Sequence, residues 1–200
     1  MSEEKKQAGW KADRAHKLDN EERRKMLPPA QTLKKLGLTE GMNFLDAGCG
    51  IGYFTLPAAR IAGGNAKIYA ADISADMLGI LSEKAVREEL SNIAVVLADE
   101  YDLKIEKDSA DFALCCNVMH EIGNKKKFVH EIARVLSPGG KLAVIEWKKI
   151  KGERGPAAEE RIAPDEMKEL LLKCGFQILQ QMELNEDLYA MTAEKVSGRS

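Results

Sequence analysis

No apolar run in this sequence reaches the roughly 18 residues that a membrane-spanning helix needs. Neither sign of charge dominates: 30 Lys and Arg stand against 32 Asp and Glu, a net charge of −2. That balance gives no electrostatic case for nucleic acid, whose binding rests on a basic surface. Cysteine is scarce, with four residues at positions 49, 115, 116 and 174. They form no CxxC pair and no disulfide framework, and read as reduced thiols of a cytoplasmic protein. The first residues, MSEEKKQAGWKADR, lack the apolar stretch of a secretory signal. No internal repeat or low-complexity tract occurs. What remains is ordinary globular chemistry: 200 residues, 44% of them apolar, enough to build the core of one soluble domain.

The first 27 residues are mixed in charge and weakly apolar. Asp19 and Glu22 have capping-box spacing, which predicts a short helix beginning near Asn20. Pro28 and Pro29 end it, and Pro29 opens a second helix closed by Gly37. From Met42 onward short apolar runs recur at 43–47, 67–71, 93–98, 111–116 and 141–147. Helical stretches follow them at 52–62, 75–89, near 102–107, at 124–136 and at 164–173. Alternating strands and helices predict a parallel sheet covered on both faces. Two further strands, 176–182 and 187–193, are joined by Leu184-Asn185-Glu186, too short for a crossover. They predict a hairpin, hence one antiparallel strand near an edge. The expected fold is α/β, a doubly wound sheet whose ligand lies beyond the carboxyl ends of the strands.

The turns at those ends carry the chemistry. After the first strand comes Asp46-Ala47-Gly48-Cys49-Gly50-Ile51-Gly52-Tyr53. Alternate glycines let the backbone turn tightly and approach a ligand. The spacing is GxGxG, and Tyr53 stands where the third glycine of the dinucleotide fingerprint would fall. Asp46, just before the glycines, would repel a pyrophosphate and suits a cationic amino-acid-like ligand. Asp72 ends the second strand, where a carboxylate can accept both hydroxyls of a ribose. Ser74 is the candidate N-cap that frees it. Met77 suits either a purine face or ordinary core packing. The third turn presents Asp99 and Glu100, suited to an adenine amino group or to solvent.

In sum LDAGCGIG, AADIS, LADE and LSPGGKLAVIEW resemble the successive motifs of class I S-adenosylmethionine-dependent methyltransferases. The likeness runs over about residues 28–193 and is nearest to the ubiquinone/menaquinone-biosynthesis-like and arsenite-methyltransferase-like branches. It implies a Rossmann-like seven-stranded sheet of order 3-2-1-4-5-7-6 with strand seven antiparallel. It also implies residues 42–200 as the cofactor domain and residues 1–41 as a helical extension or lid. S-adenosylmethionine is the implied cofactor and S-adenosylhomocysteine the product. Asp46, Gly48 and Gly50 would line the methionine moiety, Asp72 the ribose, and Ile73 and Met77 the adenine. Asp99, with Glu100 beside it, would meet the adenine amino group, and Asn117 the amino group of the cofactor.

The acceptor turn reads Cys115-Cys116-Asn117-Val118-Met119-His120-Glu121. The Asn/Asp-Pro-Pro-Tyr signature of amino-group methyltransferases acting on bases or glutamine and the Pro-Cys of cytosine C5 enzymes are absent, which lowers those readings. The net charge of −2 favours a small-molecule acceptor, with a macromolecular acceptor as the alternative. His120 and Glu121 are the candidate acid–base pair, since a histidine can deprotonate a hydroxyl, thiol or carbon acid. The competing reading is a turn histidine held by a structural hydrogen bond. Methyl transfer from an activated sulfonium asks mainly for alignment. Adjacent cysteines in a strand point to opposite faces, so Cys115 and Cys116 are not expected to share a metal, and no metal site is expected. Met119, His16 and Arg23 are candidate substrate residues. Residues 148–163 form a second candidate lid. A homo-oligomer is left open, as is a subunit that binds the cofactor without turnover.

Overall fold

The structure, a computed structural model, describes residues 18–150 and 154–196. Two compact units divide the chain, one up to Asp99 and one from Glu100. In the first, helices α1 (Glu21–Met26) and α2 (Pro29–Leu36) precede β1 (Phe44–Ala47), α3 (Thr55–Ala62), β2 (Ile68–Asp72), α4 (Ala75–Arg87) and β3 (Ile93–Leu97). The N-cap of α1 is Asn20, whose Oδ1 accepts the Arg23 amide at 2.8 Å. Asp19, expected in that role, instead pairs with Arg24 through both carboxylate oxygens. Pro29 opens α2, and Gly37 closes it at φ +104° with its amide on Leu33 and Lys34.

Helix α3 starts three residues later than the predicted 52. Gly48, Gly50 and Gly52 all have positive φ, which holds the chain out of helical geometry. The N-cap of α3 is Phe54, which has no side-chain acceptor, and Thr55 at the first helical position turns its hydroxyl to Asp46. β1 and β3 both pair in parallel with β2, with Asp46 opposite Ala70 and Asp72 opposite Leu97. Behind them pack Cys49, Leu56, Ala70, Leu78, Leu81 and Ala85. A Cβ on Gly52 would stand 2.3 Å from Leu81 Cδ1 and its φ is +85°, so packing of α4 and backbone geometry both call for the third glycine of the turn.

The second unit holds β4 (Ala110–Cys116), α5 (Lys125–Val135), β5 (Leu136–Trp147), α6 (Pro164–Lys173), β6 (Phe176–Glu183) and β7 (Leu188–Lys195). No helix forms near 102–107. The Asp102 side chain accepts the Lys104 amide at 2.9 Å, and Lys104 turns to φ +53°, which breaks helical continuation. β5 begins five residues earlier than predicted, because Leu136 pairs with Ala110 before a bulge in the β4–β5 ladder. Asn185 closes the β6–β7 hairpin, its Oδ1 accepting the Asp187 and Leu188 amides at 2.9 Å. The seven strands run in the order β3-β2-β1-β4-β5-β7-β6, with β7 antiparallel to both β5 and β6. Among the described residues no helix is long and apolar enough to cross a membrane.

Candidate active site

In the first unit the site is built where β1 and β2 end. Asp46 is buried on β1, with Thr55 Oγ1 donating to its Oδ2 at 2.7 Å. Burial raises its pKa from the ordinary 3.8 to about 7. The charge of Asp72 adds to that rise, while the Thr55 hydrogen bond and the charge of Arg23 oppose it. Close to neutrality, then, Asp46 carries only part of the negative charge from which its repulsion of a pyrophosphate was argued. The glycine turn folds back on β2: the amides of Gly48 and Cys49 donate to the Ala71 carbonyl at 2.8 and 3.1 Å.

Asp72 is the hub of that turn. Its Oδ2 accepts the Gly50 amide at 2.8 Å and its Oδ1 the Ser74 amide at 2.9 Å. Burial raises its pKa, and the amides of Ser74, Gly50 and Ile73 work against that rise. Ser74 caps α4 through the Met77 amide. Ile73 is 52% exposed, whereas Met77 is buried in the core. Asp99 is exposed beyond β3.

The N-terminal segment reaches the same turn. A Cβ on Gly50 would meet Leu18 Cδ1 at 3.6 Å. The Tyr53 hydroxyl donates to the carbonyls of Leu27 at 2.7 Å and Arg23 at 3.2 Å. The Arg23 guanidinium lies 4.3 Å from the Tyr53 ring centroid and donates to the Leu18 carbonyl at 2.6 Å. One of its donors thus serves the segment itself. His16 lies outside the described residues.

In the second unit the turn after β4 is pinned to β5. Asn117 sits at φ +56°, and its amide donates to the Ile145 carbonyl at 2.8 Å. Met119 is fully buried, and Glu121 is exposed. The carboxyl of Glu146, itself fully buried on β5, takes both the amide and the ring Nδ1 of His120, at 3.3 and 2.8 Å. Burial disfavours the charged imidazolium, but the hydrogen bond and charge of Glu146, with Glu121 and Glu160, outweigh it and raise the His120 pKa above 6.5. Glu100 accepts the Gly123 amide at 3.1 Å and the Tyr101 hydroxyl at 2.7 Å, which ties down the far end of the turn. Farther along, Arg161 is buried and donates to the carbonyls of Pro156, Lys148, Ile150 and Arg154.

Glu146 and Arg161 were not singled out in the sequence. The signal for Glu146 was there: one acid inside the apolar run Leu142–Trp147. Arg161 answers only backbone carbonyls, which leave no mark in a sequence.

Two features test whether these residues fit S-adenosylmethionine. The Asp72 carboxylate accepts the amides of Gly50, Ser74 and Ile73 and keeps one further lone pair for a hydroxyl, with exposed Ile73 next in sequence as apolar surface for a purine. Asn117 Oδ1 is the buried side-chain polar atom that finds no hydrogen-bond partner among the described residues. An orphaned buried acceptor costs about 1–3 kcal/mol, a cost that a ligand N–H removes. In the first unit Asp72 and Ile73 match a ribose hydroxyl and a base, and in the second Asn117 matches a donor such as an ammonium group.

Comparison with known proteins agrees. A methyltransferase domain family matches residues 45–144. A demethylmenaquinone methyltransferase of Lactococcus lactis subsp. lactis (strain IL1403) is 32% identical over 117 residues, covering 58% of this chain and 46% of that protein. A ubiquinone/menaquinone biosynthesis C-methyltransferase of Pseudomonas paraeruginosa is 29% identical over 119 residues, covering 59% and 46%. The chain thus spans about half the length of the curated relatives it matches. The crystal structure of an S-adenosylmethionine-dependent methyltransferase from Aquifex aeolicus superposes with a TM-score of 0.88 at 29% identity, covering 94% of this chain and all of that one. With the strand order, the Asp72 hub and the match over half of its length, the chain belongs to the methyltransferase domain family, among the class I S-adenosylmethionine-dependent methyltransferases.

Proposed function

We propose that this chain methylates a small-molecule acceptor. The observation that carries the reading is the turn after β4, whose chemical handle, the His120 side chain, is only 8% exposed. An acceptor must come to a nearly buried imidazole, which suits a small or slender molecule better than a folded macromolecule. The relatives whose names specify a quinone-biosynthesis step support the same class.

When bound, S-adenosylmethionine supplies a methyl group activated by a sulfonium. The protein's part is chiefly alignment and exclusion of water. Asp72 holds the ribose, Ile73 lies along the adenine with Met77 as packing behind, and Asp99 and Glu100 flank its amino group. Asp46, Gly48, Gly50 and Asn117 border the methionine end. His120, next in sequence to buried Met119, meets the acceptor beside Glu121, and Arg23 is a candidate acceptor residue of the first unit.

Methyl-labelled S-adenosylmethionine incubated with demethylmenaquinol, and in parallel with a fractionated small-molecule extract, tests the reading. Label in a small product that disappears with Asp72→Ala is the expected result. Label only in protein or nucleic acid refutes it. Tight S-adenosylhomocysteine binding with no labelled product in any fraction refutes it too, in favour of a subunit without turnover.

A further inference from the structure

Of the buried ionisable groups, Glu146 is set apart by its partners. Its side chain has no exposure at all, yet two backbone amides and a ring nitrogen converge on it. Oε1 accepts the His120 amide at 3.3 Å; Oε2 accepts the Trp147 amide at 3.3 Å and faces His120 Nδ1 at 2.8 Å. A carboxylate can only accept, so the proton on this edge of the ring sits on Nδ1. The neutral ring then has a bare lone pair on Nε2. Glu121 Oε1 stands 3.9 Å from Nε2, beyond hydrogen-bond reach, so it does not occupy that lone pair.

The framework keeps this geometry rigid. One end of the turn is held by the Asn117 amide on Ile145 and the other by Glu100 on the Gly123 amide. Glu146 itself sits opposite Tyr189 in the β5–β7 ladder, and the Tyr189 hydroxyl donates to the Ile162 carbonyl at 3.0 Å. Burial, helped by the charge of Glu146, keeps that phenol from ionising. The charged groups that act on the imidazole are therefore Glu146 from β5, Glu121 from its own turn and Glu160 from the segment before α6. All three are acids, and all favour the imidazolium that forms when the ring takes a proton.

We propose that Glu146 is the positioning residue that makes His120 a general base, and that the acceptor is one that must shed a weakly acidic proton: a phenol, hydroquinone or thiol. This rests on the small-molecule reading above and narrows it. Phenols and thiols ionise near 10 and 8.5, so passing their proton to a histidine lies uphill by only a few pK units, each about a tenfold penalty. An aliphatic alcohol lies several pK units further up, and a tertiary amine or a thioether has no such proton to lose. In the step itself the acceptor's O–H or S–H proton moves to His120 Nε2. The freed electron pair, on that atom or on a conjugated ring carbon, forms the bond to the methyl carbon. The methyl–sulfur bond breaks with its pair going to sulfur. Where carbon is methylated, its displaced hydrogen returns to the oxygen.

The test compares wild type, Glu146→Gln and Glu146→Asp, with demethylmenaquinol as acceptor and saturating methyl donor. Gln keeps the shape and removes the charge, so kcat falls about 10²-fold and the acid limb of its pH profile moves down. Asp keeps the charge, so that limb stays near the wild-type position. S-adenosylhomocysteine affinity stays the same in all three. An unchanged kcat and acid limb in Glu146→Gln overturn the proposal and leave the small-molecule reading standing. If wild type methylates no small molecule at all, both fall. Should the Gln variant not fold, 15N spectra of the wild-type histidines decide: a neutral His120 protonated on Nε2 instead of Nδ1 overturns the assignment.

Discussion

Asp46→Asn is predicted to stabilise this protein at alkaline pH and to leave it unchanged at acid pH. Asp46 is 3% exposed, one hydroxyl donates to it, and its pKa stands at about 7 against an ordinary 3.8. Between those two values the folded chain keeps a proton that the unfolded chain has released. Stability is therefore full below the lower value, falls as pH rises through the window, and levels off above the upper one. About three pK units at 1.36 kcal/mol each give a loss of roughly 4 kcal/mol across the window. Asn fills the same space, and its carbonyl accepts the Thr55 hydroxyl without ever ionising. Urea unfolding of both proteins, below and above the window, isolates the effect from the many acids they share. Asp72 is raised in the same sense, and because its charge contributes to the Asp46 shift, the Asn variant also eases the titration of Asp72. A cation placed beside Asp46 should draw the proton off. S-adenosylmethionine is thus expected to bind more tightly as pH rises toward 7 and to release a proton, read by calorimetry in buffers of differing ionisation heat. An Asn variant no more stable than wild type above the window, or one that still releases the proton, refutes the reasoning.

Gly52→Ala should cost about 2–4 kcal/mol, since its Cβ would press on fully buried Leu81 and its φ of +85° suits only glycine; a thermal midpoint equal to wild type contradicts this. Tyr53→Phe removes a hydroxyl bonded to Leu27 and Arg23 and should loosen residues 20–27 by about 1–3 kcal/mol, seen as faster amide exchange there than elsewhere. Arg161→Ala leaves the carbonyls of Pro156, Lys148, Ile150 and Arg154 without its donors, so proteolysis should begin among residues 154–163 rather than at the termini.

Local signals read well where the cause is local. Pro164 at the first position and an apolar face give α6 the expected bounds, and Pro29 with Gly37 does the same for α2. The hairpin after Glu183 followed from a link too short for anything else. Errors came where a distant partner decides. The positive-φ glycines of the turn delay α3 to Thr55, whose hydroxyl answers Asp46, and Leu136 leaves α5 to pair with Ala110. Leu103, in the stretch read as a short helix, gives its amide to Glu131 on α5. The site divides the same way. Asp46, Asp72 and Asn117 stand out because strand ends are marked by the turns that follow them. Glu146 meets His120 across 26 residues of sequence, and alternation along a strand says nothing of such a partner.

The two buried acids show why burial alone does not set a role. Asp46 and Glu146 are both enclosed in central strands, and both lie next to a turn that carries a candidate ligand group. Asp46 meets the hydroxyl and the amide of Thr55 alone, which do not offset its desolvation, and so it holds a proton into the neutral range. Glu146 meets two backbone amides and an imidazole, partners that fix its carboxyl and pass its influence to a ring able to take a proton. Exchanging the donors should exchange the behaviour. Thr55→Val strips Asp46 of its hydroxyl and should push its titration higher still, whereas His120→Phe leaves Glu146 with amides alone and removes the proton acceptor. The first variant should alter the pH dependence of cofactor binding while methyl transfer at saturating cofactor holds; the second should do the reverse.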